Sequence, residues 1–163
     1  VSTATVESRE AAWLSQTGDS LPSLLAANGG PFELIDAFDP VAARPKMKNT
    51  LYVMALHASD QRVSNQRIRP QYEITLDINW PARKPGTPLA ETAMQDMKNA
   101  VDLVLQRVRG PVGDKTHGGR FLSVAEVPAM ASVAYSDPSV TISAGSYVGC
   151  VVSYRADDFE LSG

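Results

Sequence analysis

The stretch Tyr72-Glu-Ile-Thr-Leu-Asp-Ile-Asn-Trp80 decides the fold. Tyr72, Ile74, Leu76, Ile78 and Trp80 fall on one face, and Glu73, Thr75, Asp77 and Asn79 on the other. A period of two is the mark of a half-buried strand. Its apolar face needs a cover, and its polar face meets water or a polar partner.

The cover follows directly. Pro81 to Gly86 reads as a turn, with Thr87 as a helix cap and Pro88 at the first helical position, where a missing N–H does no harm. Met94, Met97, Val101, Val104, Leu105 and Val108 then recur at spacings of three and four, one apolar stripe on a helix running from Thr87 to Gly110. Glu91 and Asp96 lie toward its positive end, Arg107 and Arg109 at its negative end. This helix is expected on the face of Ile74, Leu76 and Ile78.

On the other side of the decisive strand, Leu51 to Ala58 carries apolar residues on both faces and predicts a strand covered on both sides. Residues 59–70 are polar and basic and read as a long hairpin tip. Further upstream, residues 5–17 predict a helix with Val6, Trp13 and Leu14 as its apolar contacts. Leu21 to Ala27 predicts a second helical segment, stopped by Asn28-Gly-Gly-Pro31, and Phe32 to Phe38 one or two more helical turns.

Downstream, residues 111–119 form a Gly-rich loop. Arg120 to Val127, a short piece near Val133, Val140 to Ile142 and Tyr147 to Arg155 predict strands, the last with Val148, Cys150, Val152 and Tyr154 on one face. The tail from Ala156 to Gly163 is acidic and expected to be exposed. The sum is an α+β fold, a mainly antiparallel β-sheet with helices packed on one face. With 163 residues it is expected as one domain spanning 1–163, an N-terminal helical and Pro-rich segment over 1–45 and a sheet-plus-long-helix core over 50–160.

The bulk chemistry narrows the function classes. Hydrophobic content of 44% and charged content of 20% are ordinary for a globular protein. A formal net charge of −3 lacks the basic excess of a dedicated nucleic-acid binder. A single cysteine, Cys150, excludes an internal disulfide, and on an apolar strand face it reads as a small core hydrophobe. No apolar run has the length of a membrane span, and the first residues lack the pattern of a signal peptide, so synthesis in the cytoplasm is expected.

Motifs for chemistry fail on inspection. Gly110-Pro-Val-Gly-Asp-Lys-Thr116 lacks the Gly-Lys-Ser/Thr ending of a phosphate loop, and Asp114 would repel phosphate. His57, His117 and Cys150 are too few for a structural zinc site. His57 reads as a partly buried histidine at a strand end. His117, between Thr116 and Gly118-Gly119, reads as a turn residue or interface contact. Asp157, Asp158 and Glu160 match no calcium loop. Arg62, Arg67 and Arg69, with Arg44, Lys46, Lys48, Arg83 and Lys84, form the basic part of the chain and suit contact with an acidic protein surface better than with DNA. No catalytic, cofactor-binding or metal-binding set emerges, and no cofactor is expected.

The hairpin ending Ile74-Thr-Leu-Asp-Ile-Asn-Trp80, the helix Ala90-Glu-Thr-Ala-Met-Gln-Asp-Met-Lys-Asn-Ala-Val-Asp-Leu-Val104 and the closing strand with Asp157-Asp158 together resemble a tail terminator, or tail completion protein, of long-tailed phages and related gene transfer agents. The resemblance spans about residues 50–160 in layout and residue character. It implies a structural virion protein without enzymatic activity, a homohexameric ring on the head-proximal end of the tail. Its partners would be the tail tube protein and the head-tail connector or adaptor, with DNA passing through the lumen without sequence-specific binding and no membrane contact. The contacts expected on this reading are Arg62, Arg67, Arg69, Asp114, Lys115, His117, Asp157 and Asp158, with Glu73, Thr75, Asp77 and Asn79 as a lumen or polar-interface face. The alternatives are a head-side neck adaptor or stopper, a small intracellular ligand-binding module, or an enzyme pairing His117 with a carboxylate such as Asp114.

Overall fold

The computed structural model describes residues 3–17, 21–37, 49–64, 67–81, 88–109, 117, 121, 123–124, 132–135, 147–157 and 161–162. In chain order the elements are α1 (Thr3–Leu14), a 3-10 turn (Ala26–Asn28), β1 (Leu34–Ala37), β2 (Thr50–Ser64), β3 (Arg67–Pro81), α2 (Pro88–Arg109), β4 (Ser123–Val124), β5 (Ser132–Tyr135), β6 (Tyr147–Asp157) and β7 (Leu161–Ser162). The fold is α+β, as the pattern predicts. One sheet runs in the order β1-β2-β3-β6-β4, with β5 also on β6 and β7 also on β3. Every pairing is antiparallel except β1 with β2.

The decisive strand sits at the centre. Its apolar residues stand in rows with their neighbours: Leu51–Ile78–Cys150, Val53–Leu76–Val152 and Ala55–Ile74–Tyr154. All nine side chains are buried. Burying a side chain such as Ile74 or Leu76 contributes about 1.5–3 kcal/mol, so these rows are the main apolar driving force of the sheet. Both helices join the same core, α1 through Val6, Trp13 and Leu14 and α2 through Met97, Val101, Val104 and Val108. The α2 stripe is therefore read correctly, with Met94 and Leu105 half-buried at its margins. The cap at Thr87 and the stop at Gly110-Pro111 lie outside the described residues.

Upstream of β2 the expectations need correction. Leu21 to Ala27 is not a helix. Its backbone turns outward to pair with the chain that follows: Phe32 N–H donates to Leu24 O at 2.9 Å and Ala26 N–H to Phe32 O at 2.6 Å. Those bonds replace the i→i−4 ladder, leaving a single 3-10 turn closed by Gly29 at φ 87°. Gly30 packs so tightly on the Leu24 backbone that a Cβ there would lie 2.2 Å from the Leu24 carbonyl carbon. Only glycine permits this return. It carries Phe32 into the core, edge-on to Trp80 with ring centroids 5.8 Å apart. The next residues then form β1, parallel to β2, rather than helical turns. Leu34 to Ala37 suits either state, and the free edge of β2 decides between them.

Residues 59–70 are also more regular than expected. The two central strands continue to Ser64 and from Arg67, and residues 65–66 between them lie outside the described residues. Register shifts at His57/Ser59 and Arg62/Ser64 place one extra β2 residue in each gap. Bulges of this kind let polar sequence stay in a ladder without strict alternation. The tail is likewise not wholly loose: Ala156 and Asp157 end β6, and Leu161–Ser162 pairs with β3 at Ile68 and Arg67. Of the strand expected at 120–127, Ser123–Val124 form β4, with 120, 122 and 125–127 outside the described residues; the piece near Val133 is β5, and the one expected at 140–142 lies outside the described residues.

Candidate assembly surface and the buried polar cluster

Cross-strand partners share a sheet face, so the residues between the core rows define the opposite face. Its rows are Thr50–Asn79–Gly149, Tyr52–Asp77–Val151–Ala134, Met54–Thr75–Ser153–Ser132 and Leu56–Glu73–Arg155. The expected polar face of Glu73, Thr75, Asp77 and Asn79 thus forms the middle of a wider surface. It is not uniformly wet. Thr50, Tyr52 and Asn79 are buried, while Glu73, Thr75 and Asp77 are half-buried. Exposure rises toward the other end, where Leu56 is 67% exposed and Arg155 is exposed, and also toward the β6 side, where Val151 in the Tyr52 row is 38% exposed. The prediction that β2 is covered on both sides therefore holds at Tyr52 and fails at Leu56. Leu56 at one end and Val151 on the β6 side, among charged and hydroxyl groups, give this face the mixed character of a protein contact.

Beyond that face the β2–β3 hairpin leaves the body. Pairing with β1 stops at Val53, and residues 56–60, 62 and 64 are exposed in succession. The exposure belongs to β2: across from it on β3, Ile68, Arg69 and Gln71 are half-buried and Pro70 is buried. Polar pairs brace the hairpin, with His57 Nε2 2.7 Å from Asp60 Oδ1 and Ser59 Oγ donating to Gln71 Oε1 at 2.8 Å. His57 is therefore an exposed mid-strand residue rather than a partly buried strand end. Arg62 is exposed on this hairpin, and Arg69, which pairs with Gln61, is half-buried. Asp157 is half-buried at the end of β6. The side chain of Arg67, and Asp114, Lys115, Asp158, Arg44, Lys46, Lys48, Arg83 and Lys84 altogether, lie outside the described residues.

His117 is placed differently from the expectation of a surface or subunit contact. It is 1% exposed and lies inside the subunit. Its ring stacks on Trp13 with centroids 3.5 Å apart and planes at 7°. Nδ1 lies 2.6 Å from Glu10 Oε1 and Nε2 lies 2.7 Å from the Val108 carbonyl oxygen. A carbonyl only accepts, so Nε2 carries a proton. A second proton lies between Nδ1 and the carboxylate, and the pair is neutral overall whichever atom holds it. The residue takes φ 51°, a left-handed conformation uncommon outside glycine, asparagine, aspartate and histidine. As positioned, both ring nitrogens are engaged within the fold and neither is open to a substrate.

Arg107 completes the cluster. Its Nη2 donates to Trp13 O at 2.8 Å and its Nη1 to Pro22 O at 3.3 Å, with the guanidinium carbon 4.7 Å from the Trp13 ring centroid. Helix C-termini leave their last carbonyls without intrahelical partners. Arg107 of α2 serves the end of α1, and His117 serves the end of α2. The sequence expectation treated Arg107 only as a charge suited to its own helix dipole. Tyr154 closes the other side, its hydroxyl pushed well above the usual tyrosine range by burial and then by Glu10. Cys150, buried as expected, has its thiol pushed up to about 12, first by burial and then by Asp77. A thiol held protonated in this way is a poor nucleophile.

Glu10 and Arg107 were the residues most open to discovery in the sequence. Val6, Glu10, Trp13 and Leu14 follow helical spacing, as do Ala100, Val104 and Arg107. A charged residue inside an apolar stripe signals a buried partner, although spacing alone does not name it.

Compared with models of protein families, the chain matches none. Compared with curated proteins, it matches none of those either.

Proposed function

We propose that this protein is a structural virion component, a ring-forming tail terminator that caps the head-proximal end of a phage tail tube and offers the surface that joins tail to head. The observation that carries the reading is the one-sided sheet. Among the described residues both helices cover one face, and the other bears a half-open polar and apolar surface continued by a hairpin whose β2 strand is exposed. A subunit of this design has separate places for a neighbour in a ring and for partners above and below it. Heterologous contacts of that kind close into rings when the rotation permits.

Chemistry of the described residues adds support. The polar cluster around His117 is spent on tying α1, α2 and β6 together, and the reading requires no cofactor. On this reading, DNA passes through the ring without base-specific contact. A head-side adaptor or stopper would share these surfaces and differ in which partner it meets. The test is tube assembly. Added to polymerising tail tube protein, the terminator arrests growth and fixes tube length. Tubes that elongate to the same lengths with and without it would overturn the proposal.

A further inference from the structure

Glu10 is the one carboxylate buried among the described residues. Its Oε1 meets His117 Nδ1 at 2.6 Å, and the His117 Nε2–H donates to the Val108 carbonyl at 2.7 Å. Neither side chain of the pair has any exposure. Together they tie α1 to the last turn of α2, with one proton shared between Nδ1 and the carboxylate.

The number of protons decides whether that tie holds. Without the shared proton, two acceptors face each other at 2.6 Å and the carboxylate charge is uncompensated. With a further proton on the carboxylate, the imidazolium loses its counter-ion, and its surroundings work against it. Arg107 of α2 lies against Trp13, on whose ring His117 stacks. Arg9 of α1 lies 5.3 Å from the Phe121 ring, which is edge-on to His117. Glu7, one turn before Glu10 on α1, is half-buried. Tyr154 of β6, its ring 6.3 Å from that of His117, adds no charge. Its hydroxyl is held protonated well above the usual tyrosine range, by burial and then by Glu10. A net charge left inside a protein is costly whichever its sign. We infer that the Glu10–His117 contact is a proton-gated latch, which docks the C-terminal end of α1 with one shared proton and releases it on gain or loss of that proton.

Released into water, Glu10 and His117 titrate near the ordinary values of about 4.3 and about 6.5. Between those values the released pair also carries one proton, so a change of pH leaves the latch alone. Below about pH 4.3 release takes up a proton, and above about pH 6.5 release gives one off. Opening therefore becomes easier on both sides, by up to about tenfold per pH unit. The latch is tightest at about pH 5–6. It belongs to the single subunit and is independent of the ring reading.

Amide exchange of the full chain from about pH 3.5 to about pH 8.5 spans both side-chain values. After correction for intrinsic exchange, protection at Ala11 to Ser15 is compared with protection at Ile74 to Ile78 of β3. The ratio should peak at about pH 5–6 and fall on either side. Glu10→Gln with His117→Asn exchanges both titrating groups for amides, and asparagine accepts the left-handed backbone that His117 adopts. That double variant should give a flat profile. The imidazole nitrogen resonances of the wild type supply a second readout that needs no variant. Nε2 should keep its proton across the range, and Nδ1 should lose its proton only as α1 loses protection. A flat ratio in the wild type, an undiminished peak in a folded double variant, or a ring that titrates with no change at α1 overturns the latch.

Discussion

Glu10 and His117 stand 107 positions apart in the chain, and their side chains meet at 2.6 Å with no exposure to solvent. The contact joins α1 to the turn that follows α2, and the far nitrogen of the ring binds the last turn of α2 itself. Removing either partner leaves the other buried beside an apolar ring. His117→Ala should therefore cost about 3–5 kcal/mol, the range for breaking a buried pair from one side. Glu10→Ala should cost a similar amount, and the double variant clearly less than the sum of the two. Urea unfolding of the three variants measures this.

Arg107 is expected to act on a helix it does not belong to. Its guanidinium donates to Trp13 O and to Pro22 O. Arg107→Met keeps much of the stem and loses both bonds, so the effect should appear as loosening of α1. Hydrogen bonds from a charged donor are worth about 1.5–3 kcal/mol each, and a loss of that order is expected. Amide exchange should speed up at the α1 C-terminus while α2 keeps its protection. Uniform acceleration across both helices would contradict the assignment.

The core beneath α2 gives a more severe test. Val104 is fully buried against the sheet. Val104→Asp places a charge without a partner there, at a cost comparable to the whole 5–15 kcal/mol stability of a typical domain. The variant should be insoluble or lack a cooperative transition. A soluble, cooperatively melting Val104→Asp would show that the helix register is wrong.

Alkaline pH should destabilise the protein through Cys150. Its folded pKa is raised from 9.0 to about 12, so the folded state holds the proton after the unfolded chain has lost it. The contribution is complete below pH 9 and declines as pH rises toward 12. The slope from one such group is about 1.4 kcal/mol per pH unit. The buried Tyr154, also raised, acts in the same direction. Urea midpoints measured at intervals through this window should fall, and Cys150→Ala should show a shallower fall than the parent.

Shortening the hairpin separates assembly from folding. Deletion of residues 60–69 removes the hairpin end and spares the core rows. The shortened subunit should melt cooperatively and bind its partners poorly. Loss of cooperativity would mean that the hairpin end is part of the folding unit.

The sheet and its long helix were legible because their signals are local. Alternation in 72–80 and the stripe from Met94 to Val108 each specify a face within one element. Legibility failed where a distant partner decides. Leu34 to Ala37 is a strand because β2 offers an edge, and Leu21 to Ala27 is irregular because its backbone bonds to Phe32. The length of the hairpin was hidden by bulges that remove the expected alternation. His117 looks like a turn residue and is one, by its φ of 51°. Nothing adjacent to it announces Glu10 or Trp13, whose own spacing on α1 held the only clue. The assembly surface was half legible: the polar face of β3 was evident, and the apolar pair Leu56 and Val151 that borders it requires the register of three strands.

Negative-stain microscopy of the purified protein, with and without its tail tube protein, tests the central claim most directly. Six-fold rings, and tubes closed at one end by such a ring, are the expected result. A protein that stays monomeric at high concentration and leaves both tube ends bare would contradict it.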